Sequence, residues 1–221
     1  MSQTGTVSSL HDLALRFESL GGGSVRGGGG YGCEFGFFQR GCGADPIGLL
    51  RWSSIWPAHL IEALRTRFTG LLDPRRIGLA QQTGWPEWKI YGGAYQLQMD
   101  HSGLNPAKIS HDDAHAIICR RFGFLVRKLI EDLEAGNKLF VYRIADGDLE
   151  PEQLSELAAA VNAYGNNTLL YVQKTPDRAF SVERIHPGLM IGYIDRFAPG
   201  KDRIQFNPEG WEAVCRAALA A

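Results

Sequence analysis

The sequence predicts a three-layer α/β domain: a mostly parallel β-sheet flanked by helices, with a β-hairpin inserted. Three observations carry this reading. KLFVYRI (138–144) and TLLYVQK (168–174) are short apolar runs suited to buried strands, and PEQLSELAAAVNAYG between them repeats like a helix, so the three make a parallel crossover unit. AHAIICRRFGFLVRKLIEDLEAG is a long amphipathic helix, opened by the capping pair Ser110 and Asp113 and closed by Gly136. WPEWKIYGGAYQLQM places Gly92-Gly93 between apolar stretches, which predicts a hairpin of Trp88–Tyr91 with Tyr95–Met99.

In chain order, residues 1–12 are polar and lack apolar anchors, so they read as a flexible N-terminal segment, with one domain over 13–221. LRFESL then runs into a strand that ends at the glycines. Eight of the twelve positions from Gly21 to Gly32 are glycine, a density that predicts a loop. From Cys33, CEFGFFQR reads as a short helix with Phe37 and Phe38 turned inward and Glu34, Gln39 and Arg40 outward. Pro57 opens the next helix, with Leu60, Ile61, Leu64 and Phe68 at helical spacing. After the crossover unit, VERIHPGLMIGYIDRF holds one or two strands around Pro187-Gly188, and Pro208 opens a closing helix.

Composition excludes several classes of function. With 23 Lys and Arg against 24 Asp and Glu the chain carries a net charge of −1, and it shows neither a nucleic-acid footprint nor a polybasic membrane surface. No apolar run reaches the roughly 18 residues a bilayer span needs, and MSQTGTVSSLHD lacks the pattern of a secretory signal, so the expected location is the cytoplasm. The four cysteines (Cys33, Cys42, Cys119, Cys215) form no C-x-x-C pair, which points to reduced thiols.

The chemistry concentrates at Cys33. A thiol at a helix N-terminus faces unpaired backbone N–H groups and the positive end of the helix dipole, which favour thiolate. The N–H groups of Gly32, Cys33 and Glu34 would hold an oxyanion, and Gly29, Gly30 and Tyr31 would complete a ligand cradle. Against this stands the plain reading that cysteine fills core space. Among six histidines, His101, beside Asp100 at a strand end, is the most site-like base; Asp195, at the end of a late apolar run, is the candidate to orient it. His11 and His59 read as solvated. Gly27, Gly29 and Gly32 satisfy G-x-G-x-x-G, a pattern that so glycine-rich a run meets by chance, and no acidic strand end follows at the spacing a dinucleotide site needs. His111 and His115 have metal-ligand spacing, but helix capping accounts for HDDAH, and no metal is expected.

The blocks FESLG and CEFGFFQR, with DPIGLLRW, QMDHS, RRFGFLVRKLIEDLEAGNKLFVYRI, YGNNTLLYV and GLMIGYIDRFAP, resemble a bacterial family of unknown function labelled papain-like cysteine peptidase, found near glycosyltransferase and polysaccharide genes. The resemblance covers most of the chain and implies Cys33 as nucleophile and His101 as its histidine. Two features depart from that family. A long glycine tract replaces a short turn before the cysteine, and Ser102 follows the histidine where the family has an acidic residue. A papain-like site draws its histidine from an antiparallel sheet. The crossover units here look more like capsule-polysaccharide acetyltransferases, which would admit coenzyme A as cosubstrate with no cofactor required. The expected function is a cysteine-dependent acyl-transfer enzyme, hydrolase or acyltransferase, acting on a small-molecule or glycan substrate. The alternative is a non-catalytic protein whose glycine loop binds an anionic ligand such as a nucleotide-sugar or coenzyme A. Oligomeric state stays open.

Overall fold

β6 (Leu139–Ile144), α5 (Pro151–Asn162) and β7 (Thr168–Lys174) form the crossover, with the two strands parallel and in register from Leu139↔Thr168 to Arg143↔Val172. The computed structural model describes residues 9–23, 32–144, 147–198 and 207–221. Before the crossover come α1 (Leu10–Leu15), β1 (Phe17–Gly23), α2 (Glu34–Gly41), β2 (Ser53–Ser54), α3 (Pro57–Arg65), β3 (Ile77–Ala80), β4 (Lys89–Gly92), β5 (Leu97–Met99) and α4 (His111–Ala135). After it come β8 (Val182–His186), β9 (Leu189–Ile194) and α6 (Pro208–Ala220).

The nine strands make one sheet in the order β3-β4-β5-β2-β1-β6-β7-β9-β8. The five strands from β2 to β9 are parallel to one another, and antiparallel strands close both sides. The hairpin β4–β5 forms as expected, with Ile90 opposite Met99; β3 extends it to a three-stranded meander. Side chains alternate across the sheet with the period of two that strands impose. Phe140 and Tyr142 of β6, with Leu169 and Tyr171 of β7, enter the core beneath α3, α4 and α5. Val141, Leu170 and Val172 point the other way, to a second core with Leu13 of α1, Phe35 and Phe38 of α2 and Trp211 of α6. The three layers are thus a physical consequence of two apolar sheet faces, each needing cover.

Helix ends follow their local chemistry. Ser110 caps α4 by accepting from the Asp113 amide, and Gly136 ends it in the left-handed conformation at φ 62°. Pro57, Pro151 and Pro208 occupy first turns. No described helix is long and apolar enough to cross a membrane.

Three expectations change. Residues 1–8 lie outside the described residues, and Ser9–Asp12 form the capped first turn of α1 instead of a loose tail. Gly21–Gly23 belong to β1, with a register irregularity between Ser19 and Gly22 that lets Gly21 take φ +79°. On α2, Glu34 and Gln39 are buried while Phe37 is only partly so. Gln39 goes inward because its amide donates to the carbonyls of Ala14 (3.1 Å) and Phe17 (3.0 Å), which fastens α2 to the α1–β1 junction.

Candidate functional site

α2 begins at the carboxyl ends of β1 and β2, where open parallel sheets place their ligands. Gly32 makes this start feasible. A Cβ built on it would lie 1.8 Å from the carbonyl oxygen of Ser53 and 3.1 Å from the amide nitrogen of Gly22. Gly21 meets the same carbonyl at 2.7 Å. Three backbones therefore touch with no room for a side chain, and glycine is required at these positions by close approach rather than by a ligand.

Cys33 follows as the N-cap of α2, 7% exposed, and no side-chain hydrogen bond caps the helix. Its surroundings are charged as well as apolar. Arg143, near the end of β6 and opposite Gly22 of β1, is buried, and its guanidinium pairs with the Glu34 carboxylate at 3.2 Å and covers the Phe197 ring at 4.4 Å. Burial pulls that guanidinium below its ordinary pKa, and the charges of Glu34 and Cys33 oppose the pull. Cys33 thus lies within electrostatic reach of a buried cation. Glu34 is further held by the Trp211 indole N–H (3.1 Å) and the Ala198 amide (3.3 Å). The other three thiols are all pushed up, each first by burial.

His101 is held by its neighbours in sequence. The Trp85 indole donates to the Asp100 carbonyl (2.8 Å), Lys89 pairs with the Asp100 carboxylate (3.0 Å), and Arg121 of α4 donates to the Ser102 carbonyl. Its imidazole sits among the rings of Trp85, Trp52 and Phe37 at centroid distances of 5.4, 5.7 and 5.8 Å. Phe37 lies four residues after Cys33 and so shares its face of α2 one turn on. The structure thereby brings His101 to the Cys33 helix, a turn away from the thiol and towards the amino ends of the parallel strands.

Asp195 is not brought to this place. β9 and β5 are separated by five inter-strand steps, roughly 24 Å at the usual ~4.8 Å spacing. The Asp195 carboxylate instead takes the Arg196 amide (2.8 Å), the Arg196 guanidinium (2.7 Å) and the amide of Asn207, the N-cap of α6. Its role is to join the end of β9 to α6. Glu34, expected only to lend a backbone N–H, is the buried partner of Arg143. Gly29, Gly30 and Tyr31 lie outside the described residues. On α4, His115 turns its Nε2 to the carbonyls of Pro74 and Ile77 (3.1 Å each), and no metal-ligating cluster forms among the described residues.

Arg143 and the buried role of Glu34 are what sequence reasoning missed. Arg143 had a visible signal: a full charge inside the apolar run KLFVYRI has to find a partner. His59 also differs from expectation, since its Nδ1 is buried, with no hydrogen bond among the described residues, and its ring lies 6.3 Å from that of Trp56.

No protein-family model matches the chain, and neither does any curated protein or solved structure.

Proposed function

We propose that this chain is a cysteine-dependent acyl-transfer enzyme, a hydrolase or acyltransferase, with Cys33 as nucleophile. The observation that carries the reading is the thiol at the start of α2, beyond the end of β1 and within electrostatic reach of buried Arg143. A helix N-terminus and a guanidinium both favour thiolate over thiol. The resemblance of the FESLG and CEFGFFQR blocks to a family labelled papain-like cysteine peptidase, and of the crossover units to capsule-polysaccharide acetyltransferases, supports the same assignment.

In the reaction the Cys33 thiolate forms a C–S bond to an acyl carbon, and charge moves onto the acyl oxygen, held by N–H groups at the start of α2. The leaving group departs with a proton from His101. Water or an acceptor hydroxyl, deprotonated by His101, then attacks the thioester, the C–S bond breaks and thiolate returns. No cofactor is required, and coenzyme A would serve as an acyl donor. The cytoplasm, where thiols stay reduced, is the proposed location.

The test pairs alkylation with turnover. Iodoacetamide labelling between pH 6 and 9, resolved by peptide mass, is expected to modify Cys33 ahead of Cys42, Cys119 and Cys215. Turnover of acyl-CoA and aryl-ester substrates is expected to fall to background in Cys33→Ala and sharply in His101→Gln, with His59→Gln near wild type. Equal turnover by wild type and Cys33→Ala overturns the proposal. Loss in His59→Gln with retention in His101→Gln overturns the choice of base.

A further inference from the structure

The helices on one face of the sheet carry two exposed patches of opposite charge. Between α3 and α5 lies a groove of about 630 Å³, lined by Ile61, Glu62 and Arg65 of α3 and by Glu150, Glu152 and Glu156 of α5 and its cap. Ile61, 4% exposed, gives it an apolar floor, and the carboxylates stand in solvent around it. The described lining sets four carboxylates against one guanidinium, which already pairs with Glu156 at 3.1 Å. The dipole of α5 accounts for Glu152 in its first turn. It does not account for Glu62 on the second turn of α3, and Glu150 makes no capping bond with its side chain.

The second patch is on α4. Its core face carries Phe122, Leu125, Val126 and Leu129, and Arg120, Phe124 and Arg127 form one exposed stripe on the opposite side, spaced four and three residues apart. Phe124 is 48% exposed, and the Arg127 guanidinium lies 5.9 Å from its ring centre. A ring between two guanidinium groups is the make-up of an interface anchor, since aromatic residues and arginine are enriched where proteins meet. The patches lie towards opposite edges of the sheet. α3 and α5 each follow a parallel strand and start at its carboxyl end, whereas the turn of α4 just after the stripe reaches the amino end of β1, with Lys128 3.7 Å from Glu18.

We propose that this helical layer is a dimer interface between two copies of the chain, with the Arg120–Phe124–Arg127 stripe of each seated in the acidic α3–α5 groove of the other. A two-fold axis lying in the layer and across the strands turns one copy over and exchanges its edges. Groove then meets stripe twice, and the contact is self-complementary. Phe124 rests over Ile61, and Arg120 and Arg127 meet Glu62, Glu150 and Glu152 at the groove rim. Charge complementarity selects a second copy as the occupant. Both signs stand on one layer while the whole chain carries a net charge of only −1, so two copies approach without long-range repulsion. α2 packs on the opposite face of the sheet, which makes the interface independent of the chemistry proposed for Cys33.

The full-length protein is followed by sedimentation velocity over a concentration series up to about 200 µM, in about 50 mM and about 500 mM NaCl. A reversible monomer–dimer equilibrium is expected, with Kd raised roughly 10-fold in the higher salt. Arg120→Glu with Arg127→Glu makes the stripe acidic, and Glu62→Lys with Glu152→Lys makes the groove basic. Each double variant alone is expected to sediment as a monomer. Mixed in equal amounts, the two are expected to form a heterodimer, because both contacts are again between opposite charges, and a variant that had lost its fold could not recover in this way. Phe124→Ser should weaken the wild-type dimer roughly 10-fold. A wild type that is monomeric throughout, a dimer indifferent to salt and to charge reversal, or a mixture that stays monomeric overturns the inference. Species larger than a dimer would mean head-to-tail assembly and overturn the two-fold contact. A monomer that binds a lysine-rich peptide would give the groove another occupant and overturn it equally.

Discussion

Replacing Glu34 by glutamine separates the two roles that the buried pair plays. Glu34 and Arg143 have side chains only 4% exposed each, so solvent screens their interaction little. Removing one member of such a pair costs about 3–5 kcal/mol, because the other charge stays buried without compensation. At about 2–4 °C per kcal/mol for a domain of this size, Glu34→Gln should lower Tm by about 6–20 °C. The amide can still accept from Trp211 or from Ala198 but not from both, which adds to the loss. Arg143→Met should cost a similar amount, whereas the double variant, which buries neither charge, should recover most of it. Urea unfolding of all four proteins measures the coupling. Additivity within about 0.5 kcal/mol would show that the two residues do not act as a pair. The thiol gives an independent sign. Removing the Glu34 anion leaves the Arg143 cation to Cys33, so the pH of half-maximal alkylation at Cys33 moves down; removing the cation moves it up. Each displacement should be on the order of one pH unit, about 1.4 kcal/mol. Displacements in the same direction, or none, would refute the electrostatic link between Arg143 and Cys33.

Two further perturbations probe the frame around the site. Gly32→Ala puts a methyl group 1.8 Å from the Ser53 carbonyl oxygen, where a backbone has to move, so a loss at the upper end of about 1–3 kcal/mol is expected in urea unfolding. An unchanged midpoint would show that the close approach is not there. The second concerns pH. Glu18 in β1 is buried beside Lys138 (3.1 Å) and Lys128 (3.7 Å), and its carboxyl is raised above 4.5, first by burial. The folded state then keeps this proton longer than the unfolded chain does, and stability is lost as pH rises through the folded value. Asp132 behaves oppositely. Burial raises it, but Lys128 and Lys138 outweigh burial and hold it below 3.8, so its contribution is present above that pH and lost as pH falls through the folded value. Urea midpoints of wild type and Glu18→Gln between pH 3 and 7 should differ by the removal of the falling limb alone, with the acid-side loss from Asp132 retained.

Elements whose evidence is local could be read from the sequence. The β6–α5–β7 unit and α4 carry their own periodicity, caps and breakers, and the β4–β5 hairpin carries its turn, so their boundaries fall within three residues of expectation. β2 could not be read: Ser53–Ser54 is two residues long, with no apolar pattern, and exists because β1 and β5 flank it. Asp195 shows the same limit for the site. The end of an apolar run marks the edge of a sheet, but the lateral order of strands follows from the crossovers, and that order sets Asp195 five strands from the His101 side. Glu34 was misplaced because a carboxylate on a short helix is ordinarily solvated, and only the β1–β6 register, which sets Arg143 opposite Gly22, reveals the charge that draws it inward.

The glycines and the thiol belong to one geometric problem. For α2 to lay Phe35 and Phe38 on the sheet while starting at the carboxyl edge, its first residue has to come down onto the ends of β1 and β2, and there the carbonyl of Ser53 already occupies the space a Cβ would need. Glycine at 21 and 32 permits the contact, which leaves Cys33 as the first side chain able to project from the junction. The same register brings Arg143 up beside it, and burial of that cation demands an anion close by. Glu34 supplies one permanently. A thiolate at Cys33, or the oxyanion of an acyl group in transit to it, would meet the same positive field, so the charge that Glu34 neutralises for the fold is also the charge that chemistry at Cys33 would use.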